Sequence, residues 1–423
     1  MRILYVLPSL QHPTIQRGGL RHWHFLRALA RRHAVTLLAL GRADVTADAR
    51  AAITALVERA VIVPVAEPAP GAGRGLAQRV RRELAVRRAV ADMRRAFRAL
   101  AASGRFDVVL FHGKAVSPVL RGFRALPVVV DFCDATSMRL REQLRHAGAL
   151  AAPWRLWRYL GTRRVERALL ARARHVAFIS PRDRAAALGD AGPAAVIPNG
   201  IDLAYWRARR GAGRAECLVF SGVMSYAPNA DAALQLIERV LPAVRHAHPG
   251  AELLVVGRDP TPAVIEAARR TPGVTVTGCV DDVRPYLAQG SVYVAPLRYA
   301  SGLQNKILEA LAVGVPVVTT PVVADGLRVR PGAEPPVCVA EGAPEIAAAV
   351  LALLDDEAAR ERLTAEGRRF VEAEFDWERE AERLERLCLD ACGQVPSEET
   401  APARGARADA RRVAPADPAL LAG

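Results

Sequence analysis

The sequence predicts an α/β protein of two Rossmann-like, doubly wound domains that face each other across a cleft. Three observations support this fold class. The chain has 423 residues, which is enough for two or three domains. Short runs of Val, Leu and Ile recur in both halves without polar alternation, as in strands buried on both faces of a parallel sheet. Stretches with helical periodicity separate these runs, as expected for a sheet covered by helices on both sides.

Six apolar runs in each half are predicted to be strands. In the first half they cover residues 3–8, 34–40, 61–65, 107–112, 127–131 and 175–180. In the second half they cover residues 217–222, 252–257, 274–278, 292–296, 315–320 and 337–340. Open parallel sheets bind ligands beyond the carboxyl ends of their strands. We therefore expect both domains to present those ends to the cleft.

The domain boundary is predicted from composition. The segment that joins the two halves, 197–216, contains Pro, Asn and Gly at its start and is rich in Gly and Arg at its end. This composition is typical of an exposed linker. Near the end of the chain, an amphipathic helix with Asp376 at its N-cap position is expected to pack back toward the first domain. The predicted organisation is a first domain at 1–196, a linker at 197–216, a second domain at 217–374, this helix at 375–393 and a disordered tail at 394–423.

The net charge of +15 is distributed unevenly. Residues 1–200 carry 34 Lys and Arg against 13 Asp and Glu, concentrated at 72–105 and 138–175. The second of these segments sets Trp154 and Trp157 among arginines, a combination that suits an anionic membrane surface. A solvated helix face is the alternative. Nucleic acid is not an expected partner, because the sequence has no helix-turn-helix, zinc finger or RNP-like motif.

The sequence composition also indicates where in the cell the protein is expected and which cofactors it is expected to need. No apolar run reaches the roughly 18 residues that span a bilayer, and the first residues resemble a strand more than a signal peptide. We therefore expect a cytoplasmic protein, at the inner face of the plasma membrane if it is recruited there. The six cysteines form no CxxC pair, which predicts reduced thiols and no zinc site. The sequence has no Asp-x-Asp motif, so we expect neither a metal nor another cofactor.

The stretch "SGLQNKILEALAVGVPVVTT" at 301–320 is the most informative motif. Only two of the 59 basic residues are lysines, and Lys306 is one of them. A helix over 303–313 would put polar residues within an arc of about 100° and apolar residues opposite. Gly314 would end that helix. The polar residues are Gly302, Asn305, Lys306 and Glu309, and the apolar ones are Leu303, Ile307, Leu308 and Leu311.

This polar stripe predicts a nucleotide-diphosphate site. A helix N-terminus carries partial positive charge and unpaired N–H groups, which bind phosphate. Gly302 would let the backbone approach the ligand, and Lys306 would add a positive charge. Glu309, one turn deeper, can accept two hydrogen bonds from a ribose diol. A surface ion pair between Lys306 and Glu309 is the alternative explanation.

Several motifs together resemble the family 4 glycosyltransferases, which have the two-domain GT-B architecture. "GLQNKILEALAVGVPVV" is similar to their donor-binding helix and following strand, and "VIPNGID" (196–202) to their interdomain signature. "FSGVMSYAPNADAAL" (220–234) and "GCVDDVRPYLAQGSVYVAPLR" (278–298) resemble a bacterial subgroup found with exopolysaccharide export systems. The resemblance covers most of the chain.

The resemblance implies that the protein transfers a sugar, with retention, from a nucleotide-diphosphate sugar to an acceptor. The acceptor would be a glycan or a lipid-linked sugar in exopolysaccharide or cell-envelope synthesis. The implied catalytic residues are His112, Lys306 and Glu309. The implied donor-binding residues are Gly18, Gly19, Arg298, Ser301, Gly302, Leu303, Gln304, Asn305, Lys306, Glu309, Cys279 and Val280. Asp131 and Asp134 follow a predicted strand at the cleft and, with Arg21, are expected on the acceptor side; capping of a helix or turn is the alternative for the two carboxylates.

Two departures from the family pattern bear on this interpretation. Ser301 stands where the first glutamate of the family's Glu-x7-Glu pattern would fall, and "GVMSYAPN" lacks the Arg and Lys that many relatives use to hold the diphosphate. We hypothesise that Lys306, with Arg298, replaces the missing charges. The alternatives are a non-catalytic nucleotide-sugar-binding protein of the same architecture, a natural-product glycosyltransferase, a nucleotide-sugar epimerase and a nucleic-acid binder.

Overall fold

The computed structural model describes most of the chain in nine ranges. These are residues 1–12, 20–41, 45–66, 76–145, 152–189, 194–206, 215–300, 302–330 and 332–393. The predicted tail at 394–423, and part of the predicted linker, lie outside the described residues.

The first domain is built on a seven-stranded parallel sheet. Its strands are β1 (Arg2–Leu7), β2 (Ala34–Gly41), β3 (Arg59–Pro64), β4 (Val108–His112), β5 (Val128–Cys133), β6 (His175–Phe178) and β7 (Ala195–Val196). Their order across the sheet is β3-β2-β1-β4-β5-β6-β7. The strand order reverses between β1 and β4, so a ligand site is expected beyond the carboxyl ends of these two strands.

The second domain is built on a six-stranded parallel sheet of the same kind. Its strands are β8 (Cys217–Ser221), β9 (Glu252–Val256), β10 (Val274–Val276), β11 (Val292–Ala295), β12 (Val317–Thr319) and β13 (Cys338–Val339). Their order is β10-β9-β8-β11-β12-β13, which reverses between β8 and β11. The predicted fold class is confirmed, and all twelve predicted strands are present. The sequence analysis missed β7, which is only two residues long.

Helices cover both sheets. In the first domain they are α1 (Arg21–Ala30), α2 (Ala47–Leu56), α3 (Leu76–Ala102), α4 (Thr136–Arg145), α5 (Ala152–Arg172) and α6 (Pro181–Leu188). A 3₁₀ segment covers Lys114–Leu120. The remaining helices are α7 (Leu203–Trp206), α8 (Ala227–Gln235), α9 (Leu241–Arg245), α10 (Pro262–Arg270), α11 (Arg284–Leu287), α12 (Asn305–Val313), α13 (Pro321–Leu327), α14 (Gly342–Asp355), α15 (Glu357–Glu374) and α16 (Trp377–Ala391).

Successive side chains of the central strand β1 are buried because helices cover both faces of its sheet. Ile3, Leu4, Tyr5 and Val6 have no exposed surface. Because neighbouring side chains point to opposite faces of a sheet, this pattern requires helices on both sides. Among the described residues, no helix combines the length and apolarity needed to cross a bilayer.

The last helix, α16, packs on the first domain although it follows the second. The Asp376 side chain accepts a hydrogen bond from the backbone N–H of Arg379 and so caps this helix. Leu384 and Cys388 are fully buried in the same core cluster as Tyr5. The chain therefore crosses between the domains twice, once after β7 and once between α15 and α16.

The two crossings lie side by side. The backbone N–H of Ile201 donates to the carbonyl of Phe375 at 2.8 Å. A Cβ atom added at Gly200 would lie 2.6 Å from the backbone nitrogen of Trp377, so a glycine is required for this close approach. These contacts fix the linker against the start of α16.

Candidate active site

Helix α12 begins two residues later than predicted, at Asn305 rather than at residue 303. Gly302 has a left-handed φ of +64°, and Gln304 is extended, so the chain turns sharply before the helix starts. Gly302, Leu303 and Gln304 therefore form the turn that leads into the helix. At the other end, Gly314 has a φ of +92° and ends the helix as predicted.

The apolar side of the motif is buried, as predicted. The side chains of Leu303, Ile307, Leu308 and Leu311 are all at most 7% exposed. Leu303 can therefore offer a ligand only its backbone. Of the helix itself, Asn305, Leu308 and Glu309 line the interdomain cavity.

The opening turn of α12 lies against the first domain. A Cβ added at Gly302 would lie 3.3 Å from Cγ2 of Ile179 and 3.7 Å from Cβ of Asp134. The side-chain amide of Asn199 donates to Oδ1 of Asn305 at 2.8 Å. The turn thus borders the cleft, and residues of the first domain and the linker face it.

Lys306 lies over the carboxyl end of β8. Its Nζ donates to Oδ1 of Asn229 and lies 5.3 Å from the ring centroid of Phe220. Burial lowers its pKa to about 8, although the nearby charge of Glu309 opposes the shift. The surface ion pair considered as an alternative is not present, since no salt bridge joins these two described residues. Lys306 is thus a partly buried ammonium whose hydrogen-bond partner is the side-chain amide of Asn229.

Glu309 has no hydrogen-bond partner within the part of the chain that the structure describes. Burial raises its pKa to about 7, and the charge of Lys306 only partly offsets this effect. The side chain lines a cavity of about 400 Å³ between the domains. A partly buried carboxyl group without a partner is suited to accept hydrogen bonds from ligand hydroxyl groups.

This interdomain cavity has aromatic walls from both domains and from the linker. The ring of His24 stacks on Trp377 with centroids 4.4 Å apart. Asp281 also lines the cavity. It follows directly the predicted donor residues Cys279, which is exposed, and Val280, which is partly buried. The loop after β10 is thus brought to the cavity. The other main wall residues are Trp23, Tyr205 and Trp206.

Arg21 and Asp131 form a buried ion pair in the first domain. The guanidinium donates to both carboxylate oxygens at 2.8 and 3.0 Å, and the two side chains are 3% and 0% exposed. Burial alone would raise the pKa of Asp131, but Arg21 outweighs this effect and lowers that pKa to about 2. The structure therefore does not place either residue where an acceptor would touch it, because each neutralises the other inside the domain.

The same guanidinium also connects the first domain to the linker. Its Nη1 donates to the carbonyl of Pro198 at 3.0 Å and to Oδ1 of Asn199 at 3.2 Å. Asn199 in turn donates to Asn305 at the start of α12. We call Arg21, Asp131, Asn199 and Asn305 the interdomain network. Its hydrogen bonds run continuously from the first sheet to the start of α12.

His112 ends β4 beside this network. Its Nδ1 lies 2.8 Å from the carbonyl oxygen of Asp131, which can only accept, so Nδ1 carries the proton. Burial lowers the pKa of His112, which keeps the ring neutral. Nε2 is then a hydrogen-bond acceptor. The ring of His22 packs against it with centroids 3.8 Å apart, and His22 Nδ1 lies 2.8 Å from the hydroxyl of Tyr5.

One grouping of described side chains has donor atoms close enough to hold a metal ion. The relevant atoms of His22, His112, Asp131 and Cys133 lie within 4.8 Å of one another. Asp131 is already paired with Arg21. A cation placed there would face this guanidinium, and the two positive charges would repel each other in a buried environment.

Lys114, the other lysine, holds the loop that follows β5. Its Nζ donates to the carbonyl of Asp134 at 2.6 Å and to Oγ1 of Thr136 at 2.7 Å. Oε1 of the buried Glu166 lies 3.5 Å away. The Asp134 side chain is 34% exposed and, with His112, lines a cavity of about 220 Å³. Asp134 is therefore the one predicted acceptor-side residue that remains accessible.

Arg298 is bound elsewhere. Its guanidinium donates to the carboxylate of Asp231, with an Nε–Oδ2 distance of 2.9 Å. Lys306, by contrast, is bound to Asn229. The structure thus gives the two cations separate partners. The predicted donor residues Gly18, Gly19 and Ser301 lie outside the described residues.

Four residues of the site were missed by the sequence analysis: Asn199, Asn229, Lys114 and Asp183. Burial raises the pKa of Asp183 to about 6, and its carboxylate accepts a hydrogen bond from the N–H of Ala135. The rarity of lysine in this chain would have identified Lys114. Asn199 and Asn229 lie in motifs quoted above but were interpreted there only as parts of a pattern, and no signal in the sequence pointed to Asp183.

Comparisons with known proteins identify related sequences for both domains. The family model described as Glycosyltransferase Family 4 matches residues 21–205, and the one described as Glycosyl transferases group 1 matches residues 215–356. Glycogen synthase of Mycobacterium tuberculosis is 32% identical over 206 residues. This match covers 46% of the present chain, and the chain spans about half of that relative, 48%.

Solved structures share the fold over nearly the whole chain. Anabaena HepE, in complex with UDP and glucose, matches with a TM-score of 0.60 and 16% identity, covering 91% of this chain and 98% of that chain. Sucrose-phosphate synthase of Thermosynechococcus elongatus matches with a TM-score of 0.64 and 19% identity, covering 93% and 100%. With both domains matched by the family models and the two-sheet architecture shared, the chain belongs to the family 4 glycosyltransferases of the GT-B fold.

Proposed function

We propose that the protein is a retaining glycosyltransferase that moves a sugar from a nucleotide-diphosphate sugar to a glycan or lipid-linked acceptor. Its place would be in exopolysaccharide or cell-envelope synthesis. The observation that carries the proposal is the start of α12 at the interdomain cleft, where Asn305 and Glu309 line the interdomain cavity and Lys306 lies over the carboxyl end of β8. The structural neighbour HepE was solved with UDP and with UDP-glucose, which favours a nucleotide sugar as the donor.

In this proposal the leaving diphosphate lies against the N-terminus of α12. The helix N–H groups and the ammonium of Lys306 would stabilise the negative charge that develops on it. Glu309 would accept hydrogen bonds from the ribose hydroxyls. Because Lys306 and the helix terminus already supply positive charge, we also propose that transfer needs no metal ion or cofactor.

His112 would contact the transferred sugar. Its Nδ1 proton is held by the carbonyl of Asp131, so Nε2 can accept a hydrogen bond from a sugar hydroxyl. Asp134, held in place by Lys114, would orient the acceptor hydroxyl from the side of the first domain. Both residues line the same cavity.

We further propose that the acceptor is presented at the cytoplasmic face of an anionic membrane, with which the first domain makes peripheral contact. On α5, Trp154 is 56% exposed and Trp157 is 72% exposed. Exposed tryptophans set among arginines favour the headgroup region of a bilayer. This arrangement supports membrane contact over a merely solvated helix face.

The proposal is tested by thermal-shift measurements with UDP-, GDP- and dTDP-sugars. We expect one of these donors, at a hundredfold excess over its Kd, to raise the Tm of the wild type by about 2 °C or more. Lys306→Ala should largely lose this shift, whereas Arg239→Ala, which removes an exposed cation from the second domain, should keep it. Equal shifts in wild type and Lys306→Ala would exclude the assigned role of Lys306.

The second candidate is a non-catalytic nucleotide-sugar-binding protein, which Ser301 in place of the family's glutamate favours. The two candidates differ in turnover. Transfer of the sugar from the stabilising donor to lipid-linked or glycan acceptors supports the enzyme. Donor binding without transfer to any of them supports the binding protein.

A further inference from the structure

An arginine-lined groove lies on the first domain, apart from the residues of the candidate active site. It has a volume of about 450 Å³ and runs between α5 and the loop that follows the 3₁₀ segment. Four arginines line it and no carboxylate does. None of the four has a carboxylate partner among the described residues, so their charges are not neutralised locally. They are Arg121, Arg124, Arg164 and Arg172.

Arg172 is the least exposed of the four arginines in the groove. Its guanidinium lies 5.4 Å from the ring centroid of Phe123 and donates to the carbonyl of Leu126 at 2.9 Å. Its Nε is buried without a hydrogen-bond partner. Burial, and then the charge of Arg124, lower the pKa of Arg172. Because this Nε atom is closed off from solvent, a ligand in the groove would instead meet the exposed guanidinium groups of Arg124 and Arg164.

Two more arginines bring positive charge to the loop beside the groove. Arg94 and Arg98 of α3 both donate to the carbonyl of Arg121, at 3.3 and 2.8 Å. The guanidinium of Arg98 lies 5.8 Å from the ring centroid of Phe123, and that of Arg172 also lies near this ring. Phe123 thus anchors cations from two helices around one loop. Planar guanidinium groups gathered in this way match the oxygens of a phosphate group.

The groove and the exposed tryptophans share one face of α5. At 100° per residue, Trp157 and Arg164 lie within about 20° of each other, and Trp154 and Arg172 lie at about the same angle. Trp157 precedes Arg164 by roughly 10 Å along the helix axis. An apolar end and a phosphate-matching end therefore follow each other along a single exposed helix face.

We propose that this groove binds the phosphate of an anionic phospholipid headgroup, with α5 lying along the membrane surface. The proposal rests on the membrane contact put forward above and gives it a location. Trp154 and Trp157 enter the headgroup region, and the groove receives a lipid phosphate farther along the helix. This double contact sets the orientation of the first domain on the membrane.

The test is co-sedimentation with vesicles of phosphatidylcholine alone and with vesicles that also contain phosphatidylglycerol. We expect the wild type to prefer the anionic vesicles. Arg124→Ala/Arg164→Ala should bind them about tenfold more weakly. Both side chains are exposed, so the variant should keep its fold. The matched control Arg239→Ala/Arg269→Ala removes two exposed charges from the second domain and should bind like the wild type.

Other outcomes distinguish the membrane contact of the first domain from the binding of a lipid phosphate in the groove. If the wild type binds neither kind of vesicle, both the membrane contact and the lipid site are wrong. If Trp157→Ala weakens binding but Arg124→Ala/Arg164→Ala does not, the membrane contact stands and the groove is not the lipid site. Stabilisation by inorganic pyrophosphate that the groove variant loses, without vesicle binding, would assign the groove to a free phosphate and overturn the lipid. Donor-induced thermal shifts, measured in parallel, report on the candidate active site separately.

Discussion

Lys306 and Glu309 stand one helical turn apart with pKa values that burial has moved toward each other. The pKa of the lysine is lowered to about 8 and that of the glutamate is raised to about 7. The ammonium is therefore charged only below about pH 8, and the carboxylate only above about pH 7. A donor that brings an anion to Lys306 and hydroxyls to Glu309 favours the charged form of both groups.

The first prediction concerns the pH dependence of donor affinity. We expect the affinity for UDP-glucose to be highest between about pH 7 and 8. It should fall up to about tenfold per pH unit on the acid side, as Glu309 takes up a proton, and also on the basic side, as Lys306 loses its proton. Calorimetric titration from pH 5.5 to 9 measures this profile. UDP-glucose is preferable to UDP because its phosphates do not titrate in this range.

Glu309→Gln provides the control for that profile. It removes the group that titrates near pH 7, so the decline on the acid side should disappear while the decline on the basic side remains. A wild-type affinity that is constant from pH 5.5 to 9 would contradict the assigned roles of both residues.

At this scale the sequence identified the residues of α12 but not their partners. The rarity of lysine and the polar stripe at the start of the helix were enough to single out Lys306. Its partner Asn229 is 77 residues away in sequence, and Asn199 is 106 residues from Asn305. Such pairs depend on how distant segments of the chain pack, within one domain or between the two, which no local pattern encodes. Arg21 was assigned to the acceptor side for the same reason, because its pairing with Asp131 is also long-range.

The start of α12 is the element to which we assign donor binding. The left-handed backbone at Gly302 lets the chain pass Ile179 of the first domain and then begin the helix. An L-residue in this conformation costs roughly 1–2 kcal/mol, and its Cβ would contact Cγ2 of Ile179 at 3.3 Å. Substitution here would shift the turn away from the cleft.

The second prediction follows from this geometry. Gly302→Ala should weaken donor binding several-fold and lower the free energy of unfolding by about 1–2 kcal/mol. Gly104→Ala is the matched control, since Gly104 has a similar φ of +67° and no atom within 4 Å of an added Cβ. The control should lose comparable stability and keep donor affinity. Equal affinity in both variants would show that the turn does not position the donor.

The strands were predictable because burial on both faces leaves an unbroken apolar run, as in β1. The exact residue at which α12 begins could not be predicted in this way. Leu303 has the spacing of the helix's apolar stripe and is buried like the rest of that stripe. It nevertheless belongs to the turn before the helix, because the next residue, Gln304, has an extended backbone. Periodicity alone does not distinguish these two cases. The strand β7 is too short to give a pattern.

The two domains are held together by the interdomain network across the cleft. Asn199 is its central residue, since it accepts from Arg21 at 3.2 Å and donates to Asn305 at 2.8 Å. The network therefore couples the position of α12 to the first sheet. The sequence predicted two facing domains from its repeated pattern, but it gave no indication of this coupling.

The third prediction tests this coupling. Asn199→Ala removes both hydrogen bonds and leaves part of Arg21 without a partner, so the free energy of unfolding should fall by about 1–3 kcal/mol. We also expect weaker binding of UDP-glucose and a larger radius of gyration in X-ray scattering without ligand. Gln289→Ala, which removes a surface hydrogen bond in the second domain, is the control. An unchanged radius of gyration and affinity would mean that the network does not hold the domains together.

The return of α16 to the first domain has a consequence for how the protein is made. Leu384 and Cys388 complete the apolar interior that surrounds Tyr5. A ribosome must therefore synthesise the entire second domain before the first can finish folding. Until then the nascent first domain exposes an unfilled apolar surface, and the two halves mature as one unit rather than in succession.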